Sequence, residues 1–549
     1  LQGADWVAVT SGRVYANVTR LPDVFPMTVA YYRALFRGEL GFRVAADFSS
    51  YPSLGPLRFR SDGAEEQFTV YDHPRVLLFQ KTPAFSAERV RKLLTDAIRT
   101  KPPTIWEWEK LPRSERRVAE PIRPPRRSGL ERASLVAEPV RKTPGSFPAT
   151  ALWLGAVLLL GALAVPIVFR LFPLMGERGL GLAKIVGLVV PTLVATALLK
   201  TGGFGDPRRT AFLALLITVA CSVACAWGVR AEIGRFVRER ARLVLAGELI
   251  FFLGFGLFLG LRALNPEITW GEKPMDLSLL NVLVRARSLP VSDPWLAGAP
   301  LGYYTFGHQA MAFLTLVTGL PTRLTFNLAI GLLGGLVAQG AFSLAASWGG
   351  RIRAGLAGAA FVGLLGNLSG LWEWIVLRRP KGLPLDWHYF WATSRVIKDT
   401  INEYPFWGLV FADLHAHVLA IPFFLLMAAT ALELVRAHAG SGAALLRRLG
   451  AALVLGIALA VQALTNAWDI PFLAGLLALT GLVAALSGDG TARSTARGLS
   501  SAVVAGATAW AVFSALRWQG VQRPGYGWNG EAPPSLRDVL LVFGLFFFV

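Results

Sequence analysis

The sequence predicts an all-α polytopic membrane domain of about eleven transmembrane helices plus interfacial helices, preceded by a small soluble α/β segment. Three observations carry this. Of 549 residues, 54% are hydrophobic and only 16% charged, whereas soluble domains carry roughly 25% charged residues. Apolar runs such as ALWLGAVLLLGALAVPIVF (151–169) and LAGELIFFLGFGLFLGL (245–261) approach the ~20 residues that cross a bilayer core. The 55 Lys and Arg outnumber the 35 Asp and Glu, and much of the excess falls in an external linker and in short turns, as cytoplasmic loops require of the latter. A soluble cytosolic enzyme is excluded. The net charge of +20 speaks for membrane topology and against nucleic acid as a partner. Cys221 and Cys225, one helical turn apart in an apolar run, exclude a disulfide framework and a zinc finger.

Residues 1–99 read as a soluble extracytoplasmic α/β segment. WVAVTSGRVYANV (6–18), LRFRS (57–61), QFTVYDH (67–73) and RVLLFQK (75–81) have strand period, and Ser86 is placed to cap a helix AERVRKLLTDAI. Residues 100–147 form a basic, Pro-rich stretch with 11 Lys/Arg and 6 Glu, which reads as a linker. The membrane domain, 148–549, is expected to hold helices at 149–170, 185–200, 209–229, 243–263, 324–347, 354–377, 408–436, 449–465, 468–487, 497–516 and from 537 onward. The chain opens at Leu1 and stops inside LLVFGLFFFV, which suggests a piece of a longer polypeptide, truncated at its C-terminus.

Orientation follows from the basic turns. Arg170, Arg178 and Lys184 lie between the first two helices, and RAEIGRFVRERAR (230–242) joins the third and fourth; both should be cytoplasmic. If 303–320 crossed the bilayer, GGRIR (349–353), the stretch around Arg436, Arg447 and Arg448, and TARSTAR (491–497) would face outward. The segment is therefore expected to lie in the outer interface or re-enter. Its aromatic pair and His308 suit that position. The polar segments then gather on the outer face of a multi-pass plasma-membrane protein.

Those segments hold the candidate chemistry. Glu272 and Asp276 flank Pro274; Asp276 either caps a helix or acts as a general base at the membrane boundary. Asp293, before Pro294, reads as a turn former. In VFADLHAHVLAIPF, a helix would put Asp413 and His417 at i, i+4 on one face with His415 turned away. A divalent metal held by Asp413 and His417, a network binding phosphate or sugar, and a polar knot between helices all remain open. Asn367 and Glu373 lie in GNLSGLWEW, and Arg395, Lys398 and Glu403 in WATSRVIKDTINEYPF. There the Arg–Lys pair either grips a phosphate or solvates an amphipathic helix. Asn466 and Asp469 in TNAWDIP fit a helix cap and a ligand role equally. Glu248, near a cytoplasmic helix end, is expected to snorkel.

The ordered motifs GEKPMD, DPWLAG, GYYTFGH, NLSGLWEW, SRVI…NEYPFWGLVFADLHAHVLAIPF and TNAWDIP resemble the YYY family of uncharacterised polytopic membrane proteins. Here its tyrosine triplet reads Tyr303-Tyr304-Thr305. The resemblance spans about residues 149–549 and implies kinship with the C-type glycosyltransferases, membrane enzymes that take a sugar from a polyprenyl-phosphate donor. It implies an acidic catalytic residue in the first large external loop, where Asp276 and, less directly, Glu272 lie. Residues 1–99, with AEEQFTVYDHPRVLLFQK, resemble the external end of a preceding module of similar kind.

The expected activity is transfer of a hexose or pentose from a polyprenyl-phosphate donor to an acceptor at the extracytoplasmic face. Asp276 and Glu272 would be catalytic; Tyr303, Tyr304, His308, Arg395, Lys398, Glu403, Asp413, His415, Asn466 and Asp469 would bind substrate. No cofactor is required by this reading, a divalent metal at Asp413 and His417 being the option. The alternatives are a non-catalytic transporter or scaffold for lipid-linked sugars, and a metal-dependent membrane hydrolase.

Overall fold

The computed structural model describes residues 1–49, 53–54, 57–58, 75–98, 101–112, 114–124, 146–202, 204–269, 271–296, 298–382, 387–397, 400–439, 445–487, 491–517 and 537. It divides into two compact units, Leu1–Lys142 and Thr143–Val549.

In the first unit, strands β1 (Trp6–Val9), β2 (Phe42–Ser49) and β5 (Arg75–Lys81) form an antiparallel sheet in the order β1-β5-β2. Helices α1 (Pro26–Phe36) and α2 (Ala87–Asp96) belong to the same unit, and a two-residue ladder joins β3 (Ser53–Leu54) to β4 (Leu57–Arg58). Val9, Leu35, Phe42, Leu77, Phe79 and Val90 make one buried core. RVLLFQK is the central strand as its alternation predicts, and Ser86 Oγ accepts the Arg89 N–H at 3.3 Å, capping α2. The strand expected at 6–18 stops at Val9, and Arg13–Arg20 turn helical. QFTVYDH lies outside the described residues. The Pro-rich stretch opens with a short helix, α3 (Ile105–Lys110), held by a capping box between Thr104 and Glu107; residues 125–145 lie outside the described residues.

The regular elements described in the second unit are helices: α4 (Ser146–Leu171), α5 (Ala183–Lys200), α6 (Pro207–Ala226), α7 (Arg230–Glu239), α8 (Ala241–Leu264), α9 (Lys273–Val284), α10 (Phe306–Thr318), α11 (Thr322–Gly349), α12 (Ile352–Gly363), α13 (Leu368–Trp372), α14 (Trp387–Thr393), α15 (Pro405–Phe411), α16 (Ala416–Ala439), α17 (Leu445–Thr465), α18 (Ile470–Leu486) and α19 (Ala492–Leu516). Among the described residues nine helices are long and apolar enough to cross a membrane. They correspond one for one to nine of the expected spans. The tenth, 354–377, is broken: α12 and the segment from Leu368 meet at 71°, because Asn367 accepts the Gly370 N–H and caps a new helix. The eleventh, from 537 onward, lies outside the described residues save for its first.

Helix α10 bears on the expectation for 303–320. At 13 residues it reaches about 20 Å, short of a hydrocarbon core of about 30 Å, in keeping with a segment that does not cross. Phe306 through Thr315 are all buried, packed among α4, α5, α6, α9, α11, α16 and α17. Its apolar side chains thus fill a protein interior. The expectation for Glu248 is corrected. Its carboxylate takes the Lys184 ammonium at 2.7 Å and the Gln339 amide at 3.0 Å instead of snorkelling.

The basic turns do share one end. Arg436 donates to the Leu174 and Ser347 carbonyls, and His438 on the same helix end meets Ser501 of α19 at 3.3 Å. The opposite end holds the α8–α9, α15–α16 and α17–α18 junctions.

Helices α8 and α11 pack backbone to backbone through glycine, the usual device where lipid supplies no hydrophobic drive. A Cβ at Gly334 would stand 2.2 Å from the Phe258 ring. Gly334→Leu is therefore expected to lower stability by about 1–3 kcal/mol or more, read as a lower unfolding temperature in detergent; an unchanged midpoint would show that the two helices separate freely.

Candidate functional site

The site is built where two helices begin and one breaks. α15 starts at Pro405 and ends at Phe411, where the φ of +61° at Ala412 stops the helix. Residues 413–415 run as non-helical chain before α16. This break places Asp413 against the start of α9. Its Oδ1 lies 2.8 Å from Lys273 Nζ, and its Oδ2 accepts the Glu272 backbone N–H at 3.0 Å. Lys273 is fully buried, with its ammonium 4.7 Å from the Phe411 ring centroid. Gly271, at φ +66°, has no room for a side chain: a Cβ would meet Asp413 Oδ2 at 2.9 Å. Burial pushes the Asp413 carboxyl up and the Lys273 ammonium down, and their ion pair restores each only in part.

The common helical face on which the sequence pairs Asp413 with His417 is removed by the same break. Off a common helix they share no face, both Asp413 oxygens are engaged, and His417 Nε2 lies 3.1 Å from Glu403 Oε2. Among the described residues no group of three or more His, Cys, Asp or Glu is arranged to hold a metal ion.

A row of charged groups runs above this buried pair. Glu272 Oε2 is 2.8 Å from His415 Nε2, His415 Nδ1 is 2.7 Å from His417 Nδ1, and Glu403 Oε1 accepts from Arg395 at 2.9 Å. Arg395 also lies 4.1 Å from the Trp391 ring centroid. Tyr303 and Tyr304 stack at 4.3 Å, with the Tyr303 hydroxyl 3.5 Å from His415 Nε2. Burial raises the Tyr303 phenol, so the hydroxyl stays protonated. The Glu272 side chain is 56% exposed, against 20% for Glu403 and 7% for Asp413.

Asp276 is elsewhere. α9 starts at Lys273 with Glu272 at its N-cap, so Asp276 sits one turn inside the helix and caps nothing. It is fully buried, with Oδ1 3.4 Å from His308 Nε2 and Oδ2 without a hydrogen-bond partner. Both Asp276 and His308 are thus shut from the surface where the sequence places a base and a substrate ligand. Asp469 stands at the N-cap position of α18, but its side chain makes no capping hydrogen bond; it accepts from Gln462 at 2.7 Å and Asn466 at 3.0 Å. Asp293 forms the expected turn, accepting the Trp295 and Leu296 N–H groups. Glu373 pairs with Arg378 at 3.1 Å. Lys398 lies outside the described residues.

Two residues of the site escape sequence reasoning. Lys273 hides inside GEKPMD as an ordinary loop lysine. Arg262, in the last turn of α8, donates to Asn327 Oδ1 at 2.8 Å and to the carbonyls of Asn265, Pro266 and Glu267, tying down the approach to Glu272. Its signal is a lone arginine at the end of an apolar run.

Residues 192–549 match the family described as Uncharacterized membrane protein (DUF2298). The chain belongs to this family. The match takes in every residue of the site, while the first unit and α4 precede it. No curated protein and no solved structure is similar to the chain.

The row of charges predicts a pH window for this family member. Burial works against the charged His415 ring, but Glu272, Asp276 and Asp413 together outweigh it, and the imidazole titrates above its ordinary 6.5. Burial also works against the Glu403 carboxylate, yet His417, Trp407 and Arg395 hold it near 2 instead of 4.5. A raised histidine stabilises fully below 6.5 and loses its effect as pH rises through the folded value. A lowered glutamate stabilises fully above 4.5 and loses its effect as pH falls toward 2. The gap in unfolding temperature between the native chain and a His415→Gln, Glu403→Gln variant should therefore be widest between pH 4.5 and 6.5. A gap independent of pH would remove the charges from the stability of the site.

Proposed function

We propose that this chain is an integral membrane glycosyltransferase that moves a sugar from a polyprenyl-phosphate donor to an acceptor at the extracytoplasmic face of the plasma membrane. One observation carries the reading furthest: an exposed carboxylate, Glu272, oriented by a histidine and standing in one row with the Glu403–Arg395 pair. Group transfer needs both ends of such a row. At one end a carboxylate takes the proton of the attacking hydroxyl. At the other a guanidinium meets the negative charge on the departing phosphate.

Glu272 accepts the acceptor's O–H proton as that oxygen forms a bond to the anomeric carbon. The bond from that carbon to the phosphate oxygen breaks, its electron pair leaving with the lipid phosphate beside Arg395. The stacked Tyr303 and Tyr304 offer an aromatic wall for the sugar. Asp276, expected from the sequence as the base, is buried inside α9 against His308 and takes no part in the transfer. Lys273 and Asp413 hold the start of that helix to the α15–α16 turn.

The test is a transfer assay with the purified chain in lipid nanodiscs, supplied with radiolabelled polyprenyl-phosphate hexoses and pentoses and a membrane extract as acceptor source. Release of free polyprenyl phosphate matched by a labelled product is the expected result. No release from any donor, or release that persists undiminished in Glu272→Gln, would overturn the reading.

A further inference from the structure

We propose that α7 is a docking surface for anionic phospholipids, whose headgroup phosphates it takes on its arginine face. The inference stands apart from the glycosyl-transfer reading. RAEIGRFVRERAR (230–242) carries five arginines, no lysine and two glutamates. On a helix of 3.6 residues per turn, Arg230, Arg235 and Arg238 fall within an arc of about 140°. Ile233, Phe236 and Val237 fall on the opposite side. Arg240 and Arg242 follow at the entry to α8.

The apolar side is already covered. Ile233, Phe236 and Val237 are half-buried, and the Phe236 ring meets Phe169 of α4 edge to face at 5.6 Å. The Arg178 guanidinium lies 4.1 Å from the centre of the Phe169 ring and 2.7 Å from Glu232. One of the two glutamates is therefore neutralised from the α4–α5 turn, and the helix is held with its basic side outward.

That basic side has no partner in the protein. All five arginines are exposed, and among the described residues none of their guanidiniums makes a hydrogen bond or ion pair. Other arginines at this end are engaged. Arg170 donates to the Cys225 and Trp227 carbonyls, and Arg436 to those of Leu174 and Ser347.

The position of α7 decides what it meets. It lies between the ends of α6 and α8, both long and apolar enough to cross a membrane. Trp227, three residues before it, is 82% exposed, and an exposed indole at the end of a span marks the headgroup level. A guanidinium at that level keeps its charge and grips phosphate oxygens in pairs. Phosphatidylcholine brings its own cation to that contact, whereas phosphatidylglycerol leaves its phosphate uncompensated, so the face selects the anionic lipid. The arc carries no aromatic ring on which a nucleobase could stack.

The delipidated chain in detergent is titrated with dioleoyl phosphatidylglycerol and dioleoyl phosphatidylcholine, and bound lipid is counted by native mass spectrometry. Phosphatidylglycerol should bind the native chain more tightly. The Arg235→Gln, Arg238→Gln, Arg242→Gln variant should bind it about tenfold or more weakly, since each arginine at a membrane surface contributes roughly fivefold. Its affinity for phosphatidylcholine should not change. Raising NaCl from about 0.05 to 0.5 M should remove most of the native preference.

Equal affinity of the native chain for the two lipids would overturn the proposal, as would a triple variant that keeps the preference. A preference that survives salt would place the lipid on apolar contacts and do the same. Arg493→Gln with Arg497→Gln removes two exposed arginines of α19 from the same end and should leave the preference nearly intact. A loss as large as the triple variant's would assign the attraction to the whole basic end and not to α7. Polyuridylate that binds the native chain but not the triple variant, with no preference between the lipids, would make the surface a nucleic-acid site instead. If the triple variant fails to fold, Arg235→Gln alone serves, with a loss of roughly fivefold expected and no loss counting against the proposal.

Discussion

Glu272→Gln is expected to lower sugar transfer by about 10²–10⁴-fold, the usual contribution of a general base, with folded yield unchanged. The glutamine keeps the length of the side chain and an oxygen for His415, so the loss reads the proton-accepting step and little else. Asp276→Asn gives the decisive comparison. That carboxyl is fully buried against His308, so its replacement should alter the unfolding temperature and leave kcat per folded molecule near the native value. If Asp276→Asn abolishes turnover and Glu272→Gln does not, the base is the buried acid, and the site must open by a motion of α9.

Lys273→Met is expected to destabilise the membrane unit by about 3–5 kcal/mol, because it leaves a buried carboxylate without its cation. Asp413 is 7% exposed, and the Glu272 backbone N–H on its Oδ2 is no substitute for a full positive charge. Removing both charges is the milder change. Lys273→Met combined with Asp413→Leu should recover much of the loss, since exchanging a buried pair for apolar groups of similar volume is often neutral or better. Unfolding temperatures of the two single variants and the double variant form the cycle that measures this coupling. If the double variant is as unstable as the sum of the singles, the two charges do not depend on each other and the junction is held by packing.

The spans are legible in the sequence because a bilayer asks for length and apolarity, and both are properties of a continuous run of residues. Hydropathy alone places nine of them, and Ser86 reads as a cap from its position before an amphipathic run. Sequence reasoning fails where chain direction changes inside an apolar run. The 408–436 segment looks like one helix, and only the left-handed Ala412 divides it. Hydropathy does not register that turn, yet it moves Asp413 off the face of His417. Helix α10 stays out of the set of spans because its crossing would turn the later basic turns outward. Its burial among protein helices is not readable, since lipid and a protein interior select the same apolar residues.

The sequence alone determined that the chain is a helical membrane protein with a small α/β segment before it, and that its acids and histidines cluster in a few motifs. It named Glu272, Asp413, His415, His417, Glu403 and Arg395 as candidates. Only the tertiary structure decided which of them meet. Lys273 and Asp413 stand 140 positions apart in the chain, and no local pattern encodes a pairing of that reach. It also decided which acid faces outward: within one turn of α9, Glu272 lies open and Asp276 is sealed. Burial depends on what packs against a helix, and for α9 that is set by α10 and α11, elements the motif itself does not contain.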